Sequence, residues 1–415
     1  MMRLLRLEIR RLITTKMTWI LLLAGFILTA LMAYLPLTFG SVTVTGEEGQ
    51  KTVLNGREAV AYVRDVRSGI EGEVTPEKVR KALEVYQECM EEYQAEHEFK
   101  LPEDVYNEKL LPYSPYFKGI REAFSDPDTG MAADLRYVSP EEVENYYEKA
   151  DERLASLMKM EQGDYPSAQE QAAEMYSEVT TPFYYVSGVG SDSMDYQVLT
   201  IYMITIFCVV IVSSVFSSDY QTGADDILRC TKHGRVRLAV TKIISALLIL
   251  GAAFLLYMSV WIVLTNSLFG WESTKTSLQM MFSISSLPDV NIGELELLNA
   301  GVSFLLFLAI VSFALFVSTK MGKNVSALAV SLIFCFLPVI CYMAVPGMTG
   351  TWLQCLLPAG GIGLGNSFLY AFIDLEFLHA GELSLWTPYA MAVAAVVQIP
   401  VFLGLAVYSH CKMRK

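Results

Sequence analysis

Six stretches of this 415-residue chain are apolar, about 20 residues or longer, and carry at most one charged side chain each. Few folds accommodate such stretches. Hydrocarbon offers no partner for a bare backbone N–H or C=O, so a segment of this kind closes its own hydrogen bonds as a helix. The windows run Met17 to Thr38, Val198 to Ser217, Leu238 to Leu264, Leu297 to Val317, Ser326 to Val345 and Trp386 to Ser409. The expected fold class is an all-α polytopic membrane protein with six transmembrane helices and a mainly helical extracytoplasmic insert between the first and second.

Charge assigns the two sides. The net charge is -13, yet Gly40 to Tyr196 alone holds 33 acidic and 15 basic side chains, so the rest of the chain is basic. Bases gather at alternate window ends: Arg3, Arg6, Arg10, Arg11 and Lys16; Arg229, Lys232, Arg235 and Arg237; Lys320 and Lys323; Lys412, Arg414 and Lys415. Lysine and arginine are retained on the cytoplasmic side, which predicts a bacterial cytoplasmic-membrane protein with both termini in the cytosol and residues 39–196 outside. The loops on the far side carry Glu272, Asp289, Glu294, Glu296, Asp374, Glu376 and Glu382 against one base, Lys275.

The predicted division is a basic, amphipathic N-terminal segment at 1–16, a first span at 17–38, the insert at 39–196, and a unit at 197–269 with spans two and three around a cytosolic loop at 218–237. An outer loop at 270–296, spans four and five at 297–346, a second outer loop at 347–384, and a sixth span with a cytosolic tail at 385–415 complete it. The first apolar core, about 22 residues, exceeds the roughly 7 to 15 of a cleavable signal and reads as a retained anchor. The N-terminal segment fits a helix lying on the inner leaflet or a simple basic flank equally well. An uncharged window from Trp352 to Phe372, with Pro358, Gly360 and Gly361, cannot cross without moving the C-terminal bases outside; it is re-entrant, closing the outer mouth, or an interfacial hairpin.

In the insert, Thr75-Pro76-Glu77 and Ser139-Pro140-Glu141-Glu142 predict two long helix starts, and Ser167 with Glu170 a capping box. Val79, Leu83, Tyr86, Met90 and Tyr93, and Val143, Tyr147, Ala150, Leu154 and Leu157, form apolar stripes that should meet. Short β segments such as Val42-Thr43-Val44 fit near the membrane. Cys89 is the insert's lone cysteine, so packing and not disulfides must hold it. Its one histidine, His97, and dispersed carboxylates argue for a solvated acidic face and no metal site.

Chemistry is sparse. There is no Walker lysine loop, no Gly-x-Ser-x-Gly elbow and no His-Glu-x-x-His, so neither an enzyme nor a cofactor or nucleic-acid partner is expected. The windows hold almost no ionisable groups, which disfavours an ion-coupled carrier. Energy would come from another subunit.

The strip from Asp219 to Lys242 is the informative one. Asp225 and Asp226 suit the positive end of a short helix, Gly223 and Gly234 bracket it, Arg229 supplies part of a polar partner face, and Arg235, Arg237 and Lys242 are expected to anchor at headgroups. The strip resembles the loop after the second span in ABC-2 type permeases through Asp219, Gly223, Ile227 with Leu228, Arg235 and Lys242. It departs where Cys230 replaces the usual serine and Lys232 the frequent proline. The order of elements is similar too. The resemblance implies a coupling helix that docks in a groove of a separate ABC ATPase subunit, and a pathway enclosed by a homodimer or paired permease. The rival expectation is a sensing or interaction protein, similar to phage-infection and secretion-associated membrane proteins, whose spans anchor the insert.

Overall fold

The computed structural model describes residues 2–45, 50–231 and 234–412. Lys232, Arg414 and Lys415 therefore lie outside the described residues. Among the described residues six helices are long and apolar enough to cross a membrane: Lys16–Phe39, Ser191–Thr222, Val236–Phe269, Ile292–Lys320, Asn324–Ala344 and Thr387–Cys411, here spans 1 to 6, with span 2 taken below as its long helix, Ser191–Ser213. The chain is a mostly helical, multi-pass membrane protein.

Span 4 is the axis of the bundle and packs against spans 2, 3, 5 and 6. Its N-terminus carries a capping box, with Asn291 Oδ1 accepting from Glu294 N and Glu294 Oε2 from Asn291 N, both at 2.9 Å. Buried Phe307, Ile310, Ala314 and Leu315 then face its neighbours. Spans 1, 3 and 6 turn Ile20, Leu23, Ile27, Leu248, Leu255, Val396 and Val397 outward, as helices bordered by acyl chains do. Span 3 has 34 residues, about 51 Å at 1.5 Å each, so it projects well beyond a 30 Å hydrocarbon layer.

The segment between spans 1 and 2 is a helical domain seated on one end of the bundle. Thr75 caps the helix Pro76–Glu92 as expected, its hydroxyl accepting from Lys78 N. That helix buries Val79, Leu83, Tyr86 and Met90 in one core with Val143 and Ala150 of the second stripe. The second start differs. Gln87 Nε2 donates to the carbonyls of Leu135 and Val138, which holds the approach to Ser139 in place. A 3-10 turn, Glu142–Asn145, comes before the helix Tyr146–Glu161, and Ser139 makes no capping box. Ser167, expected to cap, bonds instead to a distant hairpin. Val42, Thr43 and Val44 do lie in a strand, Ser41–Thr45, paired with Lys51–Asn55.

The loop between spans 3 and 4 is built into this domain. Glu122 Oε2 accepts from Ile284 N, Tyr176 OH donates to Ile284 O, and Ser277 N donates to Tyr184 O. After span 5 the chain forms a helix Met348–Leu356, an irregular stretch, a helix Phe368–Ile373 and a hairpin of Phe377–Ala380 with Leu383–Trp386. All described cysteines are free.

Candidate functional site

The end of the bundle remote from the insert gathers charges that the sequence keeps far apart. Span 2 ends because its last carbonyls are taken by side chains. Ser213 O accepts from Ser318 Oγ of span 4 at 2.8 Å, and Ser318 Oγ accepts from Phe216 N and Ser217 N. Ser217 Oγ also lies 2.7 Å from Asn324 Oδ1 at the start of span 5. The chain then makes two short helices, Ser217–Thr222 and Ala224–Arg229, joined by Gly223 at φ +71°, a conformation that costs glycine nothing.

Asp219 points inward from the first of these helices. Lys242 Nζ of span 3 lies 2.5 Å from its Oδ2, and Arg11 Nη1 of the N-terminal helix Met2–Thr14 lies 3.0 Å from its Oδ1. Both bases also donate to Val215 O. Glu8 completes the group, 3.4 Å from Arg11 Nε and 3.8 Å from Lys242 Nζ. Lys242 is 0 % exposed, and its ammonium also lies 5.7 Å from the Phe216 ring centre. Two cations thus face two carboxylates. Lys242, Asp219 and Glu8 are buried and Arg11 partly exposed; buried charges persist only when paired and hydrogen-bonded, so the group fixes the relative positions of the N-terminal helix, the loop and span 3.

A second set ties the loop to span 6. Asp225 accepts from Arg229 Nε at 2.5 Å, with His410 Nδ1 4.0 Å from its other oxygen. Tyr220 OH lies 3.0 Å from His410 Nδ1, and Arg229 Nη1 donates to Lys412 O. Gly234 is buried, and a Cβ there would run into Leu228 O. Asp226, Ile227, Cys230, Arg235 and Val236 remain exposed, Ile227 at 75 %. A hollow of about 650 Å³ is lined by Tyr220, Gly223, Asp225, Asp226, Arg229, Cys230 and Arg235.

Two expectations change. Lys242 is no headgroup anchor; it is sealed inside the bundle by Asp219. Asp225 and Arg229 spend their charge on each other and on span 6, so the outward face of the loop is Asp226, Ile227 and Arg235. Glu8, Arg11, Ser318, Asn324 and His410 were not anticipated as partners. Glu8 carried a signal, being the one acid among the five bases of residues 2–16. The N-terminal helix buries Glu8 and Leu12 against the bundle, and not a purely apolar stripe.

Toward the insert end, Pro358, Gly360 and Gly361 are buried in the irregular stretch between two short helices. Gly361 has φ +78°, and a Cβ on it would stand 2.8 Å from Leu306 of span 4 and 3.0 Å from Met391 of span 6. Gly363 is pressed in the same way against Val339 of span 5. The window is therefore a helix-break-helix wedged among spans 4, 5 and 6, the shape of a re-entrant segment. Span 4 connects it to the charge cluster, through Leu306 and Ser318.

The hairpin that follows grips the insert. His379 Nε2 donates to Gln162 Oε1 and its Nδ1 accepts from Ser384 Oγ, both at 2.9 Å, while Tyr165 stacks on the ring. Ser167 Oγ donates to Glu382 O. Burial pushes the imidazole below its usual range, so the folded chain holds it neutral. Its contribution to stability is present above the ordinary imidazole value and is lost as pH falls through the depressed one. Burial raises Glu161 and Glu376 nearby, and their contributions run the other way, lost as pH rises. Between about pH 7 and about pH 5 the melting temperature should fall further in the wild type than in His379→Asn. Parallel falls would show that His379 is not the titrating latch.

Among the described residues no cluster of His, Cys, Asp or Glu is arranged to hold a metal. No curated protein matches this sequence. A family model described as a protein of unknown function, DUF2705, matches residues 167–405. That stretch takes in spans 2 to 5, most of span 6, the loop at 217–242 and the wedged segment, and leaves out the N-terminal helix, span 1 and most of the insert. It covers more than half of the chain, and the protein belongs to the DUF2705 family.

Proposed function

We propose that this chain is the membrane-spanning permease subunit of an ABC-2 type exporter, itself no enzyme, driven by a separate ATPase that docks on the loop after span 2. The observation that carries this reading is the loop's construction. Its inner side is locked by Asp219, Lys242, Arg11, Asp225, Arg229 and His410 to the N-terminal helix and to spans 3 and 6, and its outer side offers Asp226, Ile227 and Arg235. A push on such a loop reaches several helices at once, because packed elements move as bodies. The basic window ends favour this end in the cytosol, with both termini there and the insert over the exit. A second copy or a similar permease would complete the pathway, and the wedged segment with Pro358, Gly360 and Gly361 would close its outer mouth.

The test purifies the full chain from its native membranes and follows the ATPase activity that comes with it. Combining Asp226→Arg, Ile227→Asp and Arg235→Glu should abolish co-purification of ATPase activity and leave the melting temperature within about 2 °C of wild type, since exposed substitutions change stability little. Undiminished recovery of the ATPase would contradict the docking role.

A further inference from the structure

The insert end of the bundle holds a second buried polar group, built differently from the first. Glu296 lies one turn inside span 4 from the Asn291–Glu294 capping box and is 1 % exposed. The sequence reading put it in an aqueous loop, because the apolar window begins at Leu297; the helix instead starts at Ile292 and turns Glu296 into the bundle. Its Oε2 accepts from Asn266 Nδ2 of span 3 at 2.6 Å, and its backbone carbonyl from Gln197 Nε2 of span 2. Gln197 Oε1 accepts from Asn299 Nδ2 at 2.7 Å, and Ser303 Oγ donates to Asn299 Oδ1. Gln197, Asn266, Asn299 and Ser303 are all buried.

Charge separates the two clusters. At the far end Glu8 and Asp219 face Arg11 and Lys242. Here one carboxylate meets only amides and a hydroxyl. Among the described residues no base pairs with Glu296, and its Oε1 and the neighbouring Asn266 Oδ1 have no hydrogen-bond partner. Three carboxylates on the surrounding elements are engaged elsewhere. Glu294 caps its own helix, Glu272 pairs with Lys275 on an exposed turn, and Asp195 of span 2 accepts from Tyr370 OH. Arg64 of the insert lies over Gly270, a turn beyond Asn266, and forms no ion pair with Glu296. A lone carboxylate out of water costs several kcal/mol unless something positive neutralises it. Two buried, unpaired oxygens, on side chains of two helices that hydrogen-bond to each other, suit a small hard cation, and a single negative charge suits a monovalent one.

We propose that Glu296, with Asn266 and the Gln197–Asn299 pair, forms a monovalent-cation site where spans 2, 3 and 4 meet beneath the insert, occupied by a proton or an alkali ion. The site lies at the opposite end of the bundle from the loop, so it can be tested apart from ATPase docking.

The melting temperature of the full-length protein in lipid nanodiscs is measured in sodium, potassium or choline chloride at constant ionic strength, from mildly acidic to alkaline pH. Wild type is compared with Glu296→Gln, and Glu294→Gln serves as an exposed control. For an alkali site, sodium or potassium raises the melting temperature of wild type and Glu294→Gln by a few degrees relative to choline and leaves Glu296→Gln unmoved. For a proton site the three salts are equivalent, and the pH profile of Glu296→Gln departs from the one that wild type and Glu294→Gln share. A Glu296→Gln protein that follows wild type across salts and pH overturns the proposal. Should that variant not fold, labelling of wild-type Glu296 by an apolar carbodiimide decides: a several-fold loss on adding sodium or raising pH supports the site, and labelling indifferent to both refutes it.

Discussion

Asp219→Ala should destabilise the protein by about 3–5 kcal/mol, the usual penalty for leaving a buried charge without its partner. Lys242 would then keep only Glu8, 3.8 Å away, and would share it with Arg11, 3.4 Å from the same carboxylate, so that two cations face one anion. Asp219→Asn keeps the shape and still leaves one positive charge in excess, so it should recover little. The paired replacement Asp219→Leu with Lys242→Met removes both charges and fills similar volume; by the same principle it should lie closer to wild type than either single change. Melting temperature and the monodisperse fraction after detergent extraction give the cycle. If Asp219→Ala melts with wild type, the cluster does not organise this end of the bundle. The double replacement also probes the proposed function, under which a folded protein without the ion pair keeps the docked ATPase and transmits its stroke poorly.

Gly361→Ala is the second large effect. The backbone there has φ +78°, which costs an L-residue about 1–2 kcal/mol. The new methyl would also stand 2.8 Å from Leu306 and 3.0 Å from Met391, adding roughly 1–3 kcal/mol of overpacking. A total loss of about 2–5 kcal/mol is expected from these two terms. Gly404 in span 6 is the matched control, since a Cβ there meets nothing, and Gly404→Ala should be neutral or slightly stabilising. Equal melting temperatures for the two variants would mean that the wedged segment yields freely and packs no helix in place.

What the sequence made legible follows the range of the interactions. The six windows depend on local composition, and all six are helices. Thr75 as a cap is equally local and is found where expected, and Gly223, expected to bracket the short helix of the loop, stands directly before it. Asp219 and Lys242 stood out through the family resemblance, but the pairing of Asp219 with Arg11 spans 208 positions, and no local pattern reports that. For the same reason Lys242 was misjudged. A lysine near the end of an apolar window normally reaches for headgroups, and only a carboxylate brought from another helix makes burial the better outcome. Glu296 was missed because a hydropathy window ends at the first charge, whereas the helix continues through it and decides which way the carboxylate faces. Ser167 had the spacing of a capping box, yet a hairpin more than two hundred residues later offered its hydroxyl a better acceptor.

The proposed account turns on which side of the membrane the loop after span 2 faces, and Cys230 reports that without an engineered probe. Among the described residues it is the exposed cysteine, with Cys411 half-buried and the other five buried. In a Cys411→Ser background, a membrane-impermeant maleimide should leave Cys230 unmodified in intact cells and label it in inverted membrane vesicles. Labelling of Cys230 from outside intact cells would put the loop beyond the reach of any cytosolic ATPase and contradict the account.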